Sequence, residues 1–174
     1  MAEPTEPTGS RSVFEGTVLR LEIEDWPGHP GHEVVHHPGA AAVLPLLPSN
    51  EVLLVRQFRP AIRQTLTEIP AGLLDVEGED ALTCASRELF EETGYRHVII
   101  EFLGGCYLSP GFTDEYVHLF WARTEAGPQA EPEDGIEVVR MPFPAMLDAA
   151  RAGRIRDVKT AVALLTAAGR PPLP

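Results

Sequence analysis

Carboxylates are crowded between Gly72 and Tyr95, in the segment GLLDVEGEDALTCASRELFEETGY. Three of them, Glu88, Glu91 and Glu92, have the spacing that puts side chains within one turn of an α-helix, at about 5 to 6 Å between neighbouring Cβ atoms. Hard oxygen ligands grouped in this way suit Mg²⁺ or Mn²⁺, which retain water molecules and bind substrate phosphate oxygens. The segment therefore predicts a divalent-cation site that acts on a phosphate-containing substrate.

The same segment predicts the helix that presents these acids. Ala81, Ala85 and Leu89 recur at helical spacing and are expected to face the core while the acids point elsewhere. Arg87 lies four residues before Glu91 and is expected to fix that carboxylate by an ion pair, in a role that supports metal binding without ligation. The alternative is a solvated acidic helix face, which is common for isolated runs of glutamate.

The whole segment resembles the Nudix box, G-x5-E-x7-R-E-U-x-E-E-x-G-U, where U is a bulky apolar residue. The residues at the fixed positions are Gly72, Glu79, Arg87, Glu88, Glu91, Glu92 and Gly94. Two departures occur: six residues instead of five separate Gly72 from Glu79, and Tyr95 replaces the usual aliphatic residue. The match with the Nudix hydrolases spans roughly residues 40–168 and implies hydrolysis of a nucleoside diphosphate linked to another group.

The resemblance also implies a metal site and a fold. Glu88, Glu91 and Glu92, with the backbone carbonyl of Ala71, would hold Mg²⁺, with Mn²⁺ as the other option. The fold implied is an α/β/α sandwich with a mixed β-sheet, in which the box forms a loop, a helix and a loop.

Flanking sequences are similar to the ADP-ribose pyrophosphatase subgroup of that family. Pro110 lies 16 residues after Gly94, within SPGFTDE, and VRQFRPAI and EIPAGL precede the box at residues 55–62 and 68–73. This similarity implies that the substrate is ADP-ribose and that the products are AMP and ribose 5-phosphate. Other nucleotide sugars such as GDP-mannose, dinucleoside polyphosphates and a non-catalytic ADP-ribose sensor are the alternatives.

Candidate substrate-binding residues lie on both sides of the box. Arg59 and Arg56 can supply a guanidinium group to the diphosphate, and Arg59 is favoured because strand alternation puts the two on opposite faces. Ser109, Gly111 and Glu115 belong to a Pro- and Gly-containing loop that is expected to contact the terminal ribose. The competing interpretation is an ordinary turn.

An aromatic platform for adenine is expected in the N-terminal part of the chain, where Trp26 is the candidate. The alternative is that Trp26 anchors the N-terminal strands or a dimer interface. His29, His32, His36 and His37 surround it without a recognisable metal-ligand spacing, and are interpreted as exposed polar positions.

The general base is expected in an acidic loop after the box, because the resembled subgroup takes it from a mobile loop. EPED at residues 131–134 fits that loop, and the candidates are Glu133, Glu131 and Asp134, in that order. The alternative is a solvated linker.

Composition restricts the partners. The chain has 14 basic and 26 acidic residues and a formal net charge of −12, which argues against binding to nucleic acid. Its two cysteines indicate no disulfide framework, and the sequence shows neither a signal-peptide pattern nor a transmembrane stretch. A small nucleotide-sugar substrate and a cytoplasmic location are expected.

Three regions are predicted along the 174 residues. Residues 1–11 are expected to form a disordered tail, 12–38 a small N-terminal β-element with strands at 13–23 and 33–37, and 39–170 the Nudix hydrolase domain. Late helices are predicted at 144–152 and 157–168. A homodimer is expected because two short strands are marginal without a packing partner.

Overall fold

The computed structural model describes residues 5–171 and 173. Its N-terminal part is a three-stranded antiparallel sheet made of β1 (Gly9–Glu15), β2 (Arg20–Trp26) and β3 (His29–His36). The single strand predicted at 13–23 was wrong, because Gly16 N–H donates to Leu19 O at 2.9 Å and closes a turn between β1 and β2.

The boundaries of this sheet differ from the sequence-based prediction in two further ways. β1 begins at Gly9, inside the predicted tail, because its backbone pairs with β2 up to Asp25 and an edge strand of this kind needs no apolar alternation. β3 begins at His29 instead of residue 33, so the connection after Trp26 is only a two-residue turn. Residues 1–4 of the predicted tail lie outside the described residues.

The main sheet has seven strands, with β10, β5, β4, β9 and β8 in spatial order, β6 paired to β5 and β7 paired to β4. Its strands are β4 (Ala40–Leu46), β5 (Glu51–Arg59), β6 (Gln64–Glu68), β7 (Ala71–Leu73), β8 (His97–Tyr107), β9 (Tyr116–Thr124) and β10 (Glu137–Pro142). The β4–β9 pair is parallel and the other pairs are antiparallel. The sheet is therefore mixed, as predicted.

Three helices cover this sheet: α1 (Ala81–Thr93), α2 (Phe143–Arg151) and α3 (Val158–Ala167). The central strand β4 is buried on both faces, which explains its unbroken apolar sequence. Val43 belongs to the core cluster that includes residues of α1, whereas Leu44 belongs to the cluster that includes residues of α2 and α3. The α/β/α sandwich is confirmed, and both late helices lie within one residue of their predicted limits.

The geometry of the strands brings the box to one end of the sheet. β7 is the short strand that begins the box, and it pairs with the start of β4. Helix α1 follows and packs against both β4 and β7. In the part of the chain that the structure describes, no helix has the length and apolarity needed to cross a membrane.

Candidate active site

Helix α1 is fixed at both ends by local interactions. Asp80 caps its N-terminus, with Oδ1 accepting from Thr83 N–H at 2.7 Å, and Gly94 ends it in the left-handed conformation at φ 74°. Ala85 and Leu89 are fully buried, as their spacing predicted. This packing fixes the direction in which the acidic side chains of the helix project.

Arg87 connects three carboxylates of the box. Its Nε and Nη2 both donate to Glu79, at 2.9 Å each, and its Nη1 donates to Glu88 Oε1 at 2.5 Å and Glu91 Oε2 at 2.9 Å. The Arg87–Glu91 contact has the predicted spacing, but the paired contact with Glu79 crosses from the helix to the preceding loop. The Arg87 guanidinium also lowers the pKa of Glu79.

Glu92 is the most deeply buried acid of the box, at 6% exposure. Burial raises its pKa to about 7, against the opposing effect of the Ala71 N–H, which donates to Glu92 Oε2 at 3.0 Å. Burial also raises the pKa of Glu88, and Arg87 opposes that change. Two neighbouring carboxylates are thus destabilised in their charged form, which is the condition that a bound cation would relieve.

Glycine is required at position 72 because the side chain of Glu88 occupies the space that a Cβ atom would need there. A Cβ added at Gly72 would lie 1.8 Å from Glu88 Oε1 and 2.0 Å from its Cδ. The fixed glycine of the box therefore lets β7 approach the acidic face of α1 closely, and puts Glu88 directly behind the backbone of that strand.

The donor set fits a divalent cation, although the three carboxylates do not form a closed cluster. Among residues 5–171 and 173, three ligand atoms within 4.8 Å of one another are found at Glu22, Glu24 and His36, and not in the box. Arg87 draws Glu88 and Glu91 toward itself, while Glu92 turns toward the backbone of β7. Side-chain rotations would be needed for the three carboxylates to share one ion.

The two departures from the box pattern have local explanations. The longer loop before α1 turns at Gly78, which adopts φ 79°, a value that favours glycine. Tyr95 is buried beside Leu47 and Leu53, and its hydroxyl accepts a hydrogen bond from Arg140. Neither departure touches the acidic residues.

A cleft of about 510 Å³ opens over Ala71 and Gly72. Its cationic lining residues are Arg59 and Lys159, and both contact Glu68, which is 1% exposed. Arg59 donates to both oxygens of Glu68 at 2.8 Å, and Lys159 also donates to Asp157 at 2.9 Å. This network connects β5, β6 and the start of α3 at the wall of the cleft.

The sequence-based interpretation did not include Glu68, Lys159 or Asp157 among the site residues. One signal was available: Lys159 is the only lysine in the sequence. Its partner Glu68 lies 91 residues earlier, a separation that local spacing does not connect.

Arg56 and Arg59 have different surroundings. Arg56 pairs across the strands with Glu137, with contacts of 3.0 and 3.2 Å, on the exposed side of the sheet edge. Arg59 lines the cleft and keeps 40% of its side chain exposed. Of the two arginines, Arg59 is therefore the one placed to contact a ligand in the cleft.

The candidates for ribose and adenine are divided between two cavities. Glu115 lines the cleft that holds Arg59, whereas Trp26 and Gly111 line a second cavity of about 550 Å³. Ser109 is half-buried, and its carbonyl accepts from the N–H groups of Phe112 and Thr113, which closes the turn of the loop.

The four N-terminal histidines do not share one environment. His29 and His32 are exposed, as interpreted from the sequence, but His36 and His37 are half-buried. His36 is surrounded by carboxylates because β3 lies beside β2, which carries Glu22 and Glu24. The interpretation of His36 and His37 as exposed positions was therefore wrong.

The acidic loop after β9 packs on the C-terminal end of α1. Glu133 N–H donates to Glu91 O at 2.8 Å, and a Cβ at Gly94 would lie only 2.0 Å from Ala130 O. Glu133 is close enough to Glu88 to add to the rise in its pKa, after the larger effect of burial. Glu131 and Asp134 are exposed in the same loop.

Comparison with known proteins agrees with this geometry. A family model described as the NUDIX domain matches residues 35–161. The ADP-ribose pyrophosphatase of Bacillus subtilis is 36% identical over 87% of this chain and 86% of its own length. The methanol dehydrogenase activator of Bacillus methanolicus is 34% identical over 89% of this chain and 88% of its own length.

Two further proteins extend the comparison. The GDP-mannose pyrophosphatase of Cronobacter sakazakii is 39% identical over 76% of this chain and 78% of its own length. The crystal structure of an ADP compounds hydrolase superposes with a TM-score of 0.76, at 19% identity, and covers 97% of this chain and 95% of that one. This likeness shows the fold. With a family model that covers most of the chain and an intact set of box acids on α1, the chain belongs to the Nudix hydrolase family.

Proposed function

We propose that this protein hydrolyses ADP-ribose to AMP and ribose 5-phosphate, with Mg²⁺ as the metal. The observation that carries the proposal is the position of the half-buried Glu88 and the buried Glu92 against β7, whose Ala71 and Gly72 line the cleft that also holds Arg59. The ADP-ribose pyrophosphatase of Bacillus subtilis, which matches over most of both chains, supports the choice of substrate.

The metal would be held by Glu88 and Glu92, assisted by Glu91 and the carbonyl of Ala71. When bound, a divalent cation neutralises phosphate oxygens and lowers the pKa of a coordinated water. Arg87 donates to Glu88 and Glu91, and so limits the positions their oxygens can adopt. Mn²⁺ has the same preference for oxygen ligands and is the second candidate.

Arg59 would bind the diphosphate. Two of its N–H groups are used by Glu68, which sets the plane of the guanidinium and leaves its remaining donors for phosphate oxygens. Lys159 donates to the same carboxylate, so Glu68 is shared between two cations. Water then adds to one phosphorus, and the bond to the bridging oxygen breaks to release the two phosphate monoesters.

The general base would come from the loop at 131–134, with Glu133 as first candidate because it lies beside Glu88 and Glu91. Replacement of Glu133 by Gln is expected to lower kcat by about 10² to 10⁴. Glu131→Gln and Asp134→Asn serve as matched variants in the same loop. Similar small losses in all three, at saturating Mg²⁺, would reject the loop as the source of the base.

Substrate identity is tested by incubation with Mg²⁺ and quantification of nucleotide monophosphate release. ADP-ribose is expected to give the highest kcat/KM against ADP-glucose, ADP-mannose, GDP-mannose and diadenosine polyphosphates. GDP-mannose is the second candidate, because a GDP-mannose pyrophosphatase has comparable identity. Binding of ADP-ribose without product, measured by calorimetry and chromatography, would instead indicate a sensor.

Ser109, Gly111 and Glu115, in the loop at 109–115, would contact the terminal ribose, and Trp26 would stack on adenine. Because Trp26 and Glu115 line different cavities within one chain, a ligand that reaches both must cross the loop at 109–115. Trp26→Ala is expected to raise KM for ADP-ribose more than for ribose 5-pyrophosphate, which lacks the base.

A homodimer and a cytoplasmic location complete the proposal. Val13 and Phe14 of β1 are 50% and 55% exposed, and a second subunit could cover them. Both cysteines are free thiols, as is usual in a reducing compartment. Sedimentation at micromolar concentration is expected to give twice the chain mass, and a monomer would reject the dimer.

A further inference from the structure

A chain of polar contacts through His36 joins the N-terminal sheet to the loop at 109–115. Glu24 Oε2 accepts from Trp26 Nε1 at 2.8 Å, and its Oε1 lies 3.2 Å from His36 Nε2. On the other side of the ring, His36 Nδ1 lies 2.8 Å from Asp114 Oδ2. One imidazole therefore bridges a carboxylate of β2 and a carboxylate of the loop.

The backbone on either side of His36 is bound to the same loop. Val35 N–H donates to Phe112 O at 2.8 Å, and Asp114 N–H donates to Val35 O at 3.3 Å. Asp114 Oδ1 accepts from His37 N–H at 2.8 Å. Of these contacts, the His36 side chain is the one that also reaches β2, and through Glu24 it reaches Trp26.

Burial limits the groups that can contact the Glu24 carboxylate. Glu24 is 6% exposed, so water does little to stabilise its charge. Trp26 Nε1 donates a hydrogen bond to it, and His36 Nε2, a buried atom that makes no hydrogen bond among the described residues, lies 3.2 Å from its Oε1. Glu22 Oε2, at 3.7 Å from Nε2, adds a second negative charge on the same side.

The bridge lies between the two cavities of the candidate site. Trp26, Phe112 and Asp114 line the second cavity, whereas His37 and Glu115 line the cleft that holds Arg59. A shift of the loop at 109–115 would therefore change the shape of the second cavity and the position of Glu115 together.

We propose that His36 is a positioning residue for nucleotide-sugar binding, which holds Trp26 and the loop at 109–115 in fixed relation. The proposal rests on the proposed function for its substrate, but not for its structural content. His36 itself need not touch the substrate. Its effect is expected on KM, because it orders binding groups and lies apart from the acids of the box.

His36→Ala is expected to raise KM for ADP-ribose about tenfold, as the loss of one hydrogen bond to a carboxylate would, with kcat within about threefold of wild type. His36→Asn keeps an N–H donor near the Nδ1 position and is expected to recover part of this loss. His118→Ala is the matched control, since His118 is half-buried on β9 and packs beside Tyr116.

A second readout does not depend on turnover. Trp121 is buried at 4%, so acrylamide quenching of tryptophan fluorescence reports mainly on Trp26. Quenching is expected to increase in His36→Ala and not in the control. Asp114→Asn, which weakens the other end of the bridge, is expected to reproduce the increase in KM if His36→Ala fails to fold.

Unchanged KM in a folded His36→Ala or Asp114→Asn protein, or unchanged quenching in His36→Ala, would overturn the proposal. So would an effect confined to kcat. If wild type hydrolyses no nucleotide sugar while quenching still rises in His36→Ala, the proposed function fails and the bridge between Trp26 and the loop stands.

Discussion

Glu92 makes the stability of the metal-free protein dependent on pH. Its pKa rises from 4.5 to about 7 on folding, because burial disfavours the charged carboxylate. The folded state therefore binds its proton more tightly than the unfolded state does. This contribution is fully present below pH about 4.5 and is lost as the pH rises through about 7.

The size of the effect follows from the shift. Each tenfold change in a protonation equilibrium is about 1.4 kcal/mol, so the rise to about 7 corresponds to about 3 kcal/mol. Glu88 has a pKa raised for the same reason and adds to the loss in the same direction. Glu79 has the opposite effect on stability. Because its pKa is lowered in the folded state, its contribution is present above its ordinary pKa and is lost only as the pH falls through the lowered value.

The assay compares wild type with Glu92→Gln in EDTA, by urea unfolding followed through tryptophan fluorescence between pH 5 and pH 8.5. Gln keeps an oxygen for the Ala71 N–H but does not titrate, so the difference between the proteins isolates Glu92. The free energy of unfolding of wild type is expected to fall relative to the variant by about 2.5 kcal/mol over this range, because at pH 5 part of the full effect is already lost. Glu101→Gln, at an exposed position on β8, is the control and is expected to show no such trend.

Metal addition completes the test. At pH 8, Mg²⁺ at about 100 times its dissociation constant is expected to raise wild-type stability by about 2.7 kcal/mol and to raise the variant much less. Turnover by Glu92→Gln is expected to be nearly abolished with the fold intact. A pH-independent difference between wild type and variant, or normal Mg²⁺-dependent turnover by a folded variant, would refute the reasoning.

Three substitutions, and a fourth for comparison, test the other contacts of the site. Gly72→Ala is expected to lower turnover by at least about tenfold with little change in Tm, because the new Cβ displaces the flexible Glu88 carboxylate and leaves the backbone in place. Arg87→Lys is expected to raise the Mg²⁺ concentration for half-maximal activity, since a lysine cannot reproduce the paired contact with Glu79. Arg59→Lys is expected to raise KM for ADP-ribose by about tenfold, whereas Arg56→Lys is expected to leave it within about twofold.

Matched controls separate these effects from general damage. Gly127→Ala introduces a methyl group where nothing lies within 4 Å, and Arg151→Lys changes an exposed ion pair on α2. Both are expected to behave as wild type. Normal turnover in Gly72→Ala, an unchanged metal requirement in Arg87→Lys, or equal KM values for the Arg59 and Arg56 variants would each contradict the corresponding assignment.

The sequence predicted the parts of this molecule that depend on local periodicity. Ala85 and Leu89 repeat at helical spacing and are buried on α1, and Gly94 ends that helix in the conformation that glycine favours. The mixed sheet followed from the family resemblance, and the unbroken apolar run of β4 agrees with burial on two faces. The N-terminal sheet was predicted less well because β1 is an exposed edge strand, in which pairing replaces hydrophobic patterning.

Residue spacing in the sequence did not predict contacts between distant segments. Glu68 and Lys159 are 91 residues apart and meet only because α3 begins beside the end of β6. The sequence also did not predict all the partners of Arg87. Helical spacing predicted the contact with Glu91, but Glu79 in the preceding loop accepts two hydrogen bonds from the same guanidinium group. Side-chain competition of this kind depends on the folded loop and not on sequence separation.

The charges at the cleft connect metal binding to substrate binding. Arg59 and Lys159 are matched by Glu68 and Asp157, so this network offers little net attraction for an anion. Glu88 and Glu92 lie behind the floor of the same cleft and add negative charge once they ionise. A diphosphate entering this cleft would be repelled unless cations bound by the box acids reversed the local charge. On the proposed function, the metal is therefore required for the substrate to bind as well as for the phosphorus to react, and the order of events is metal first or metal together with nucleotide.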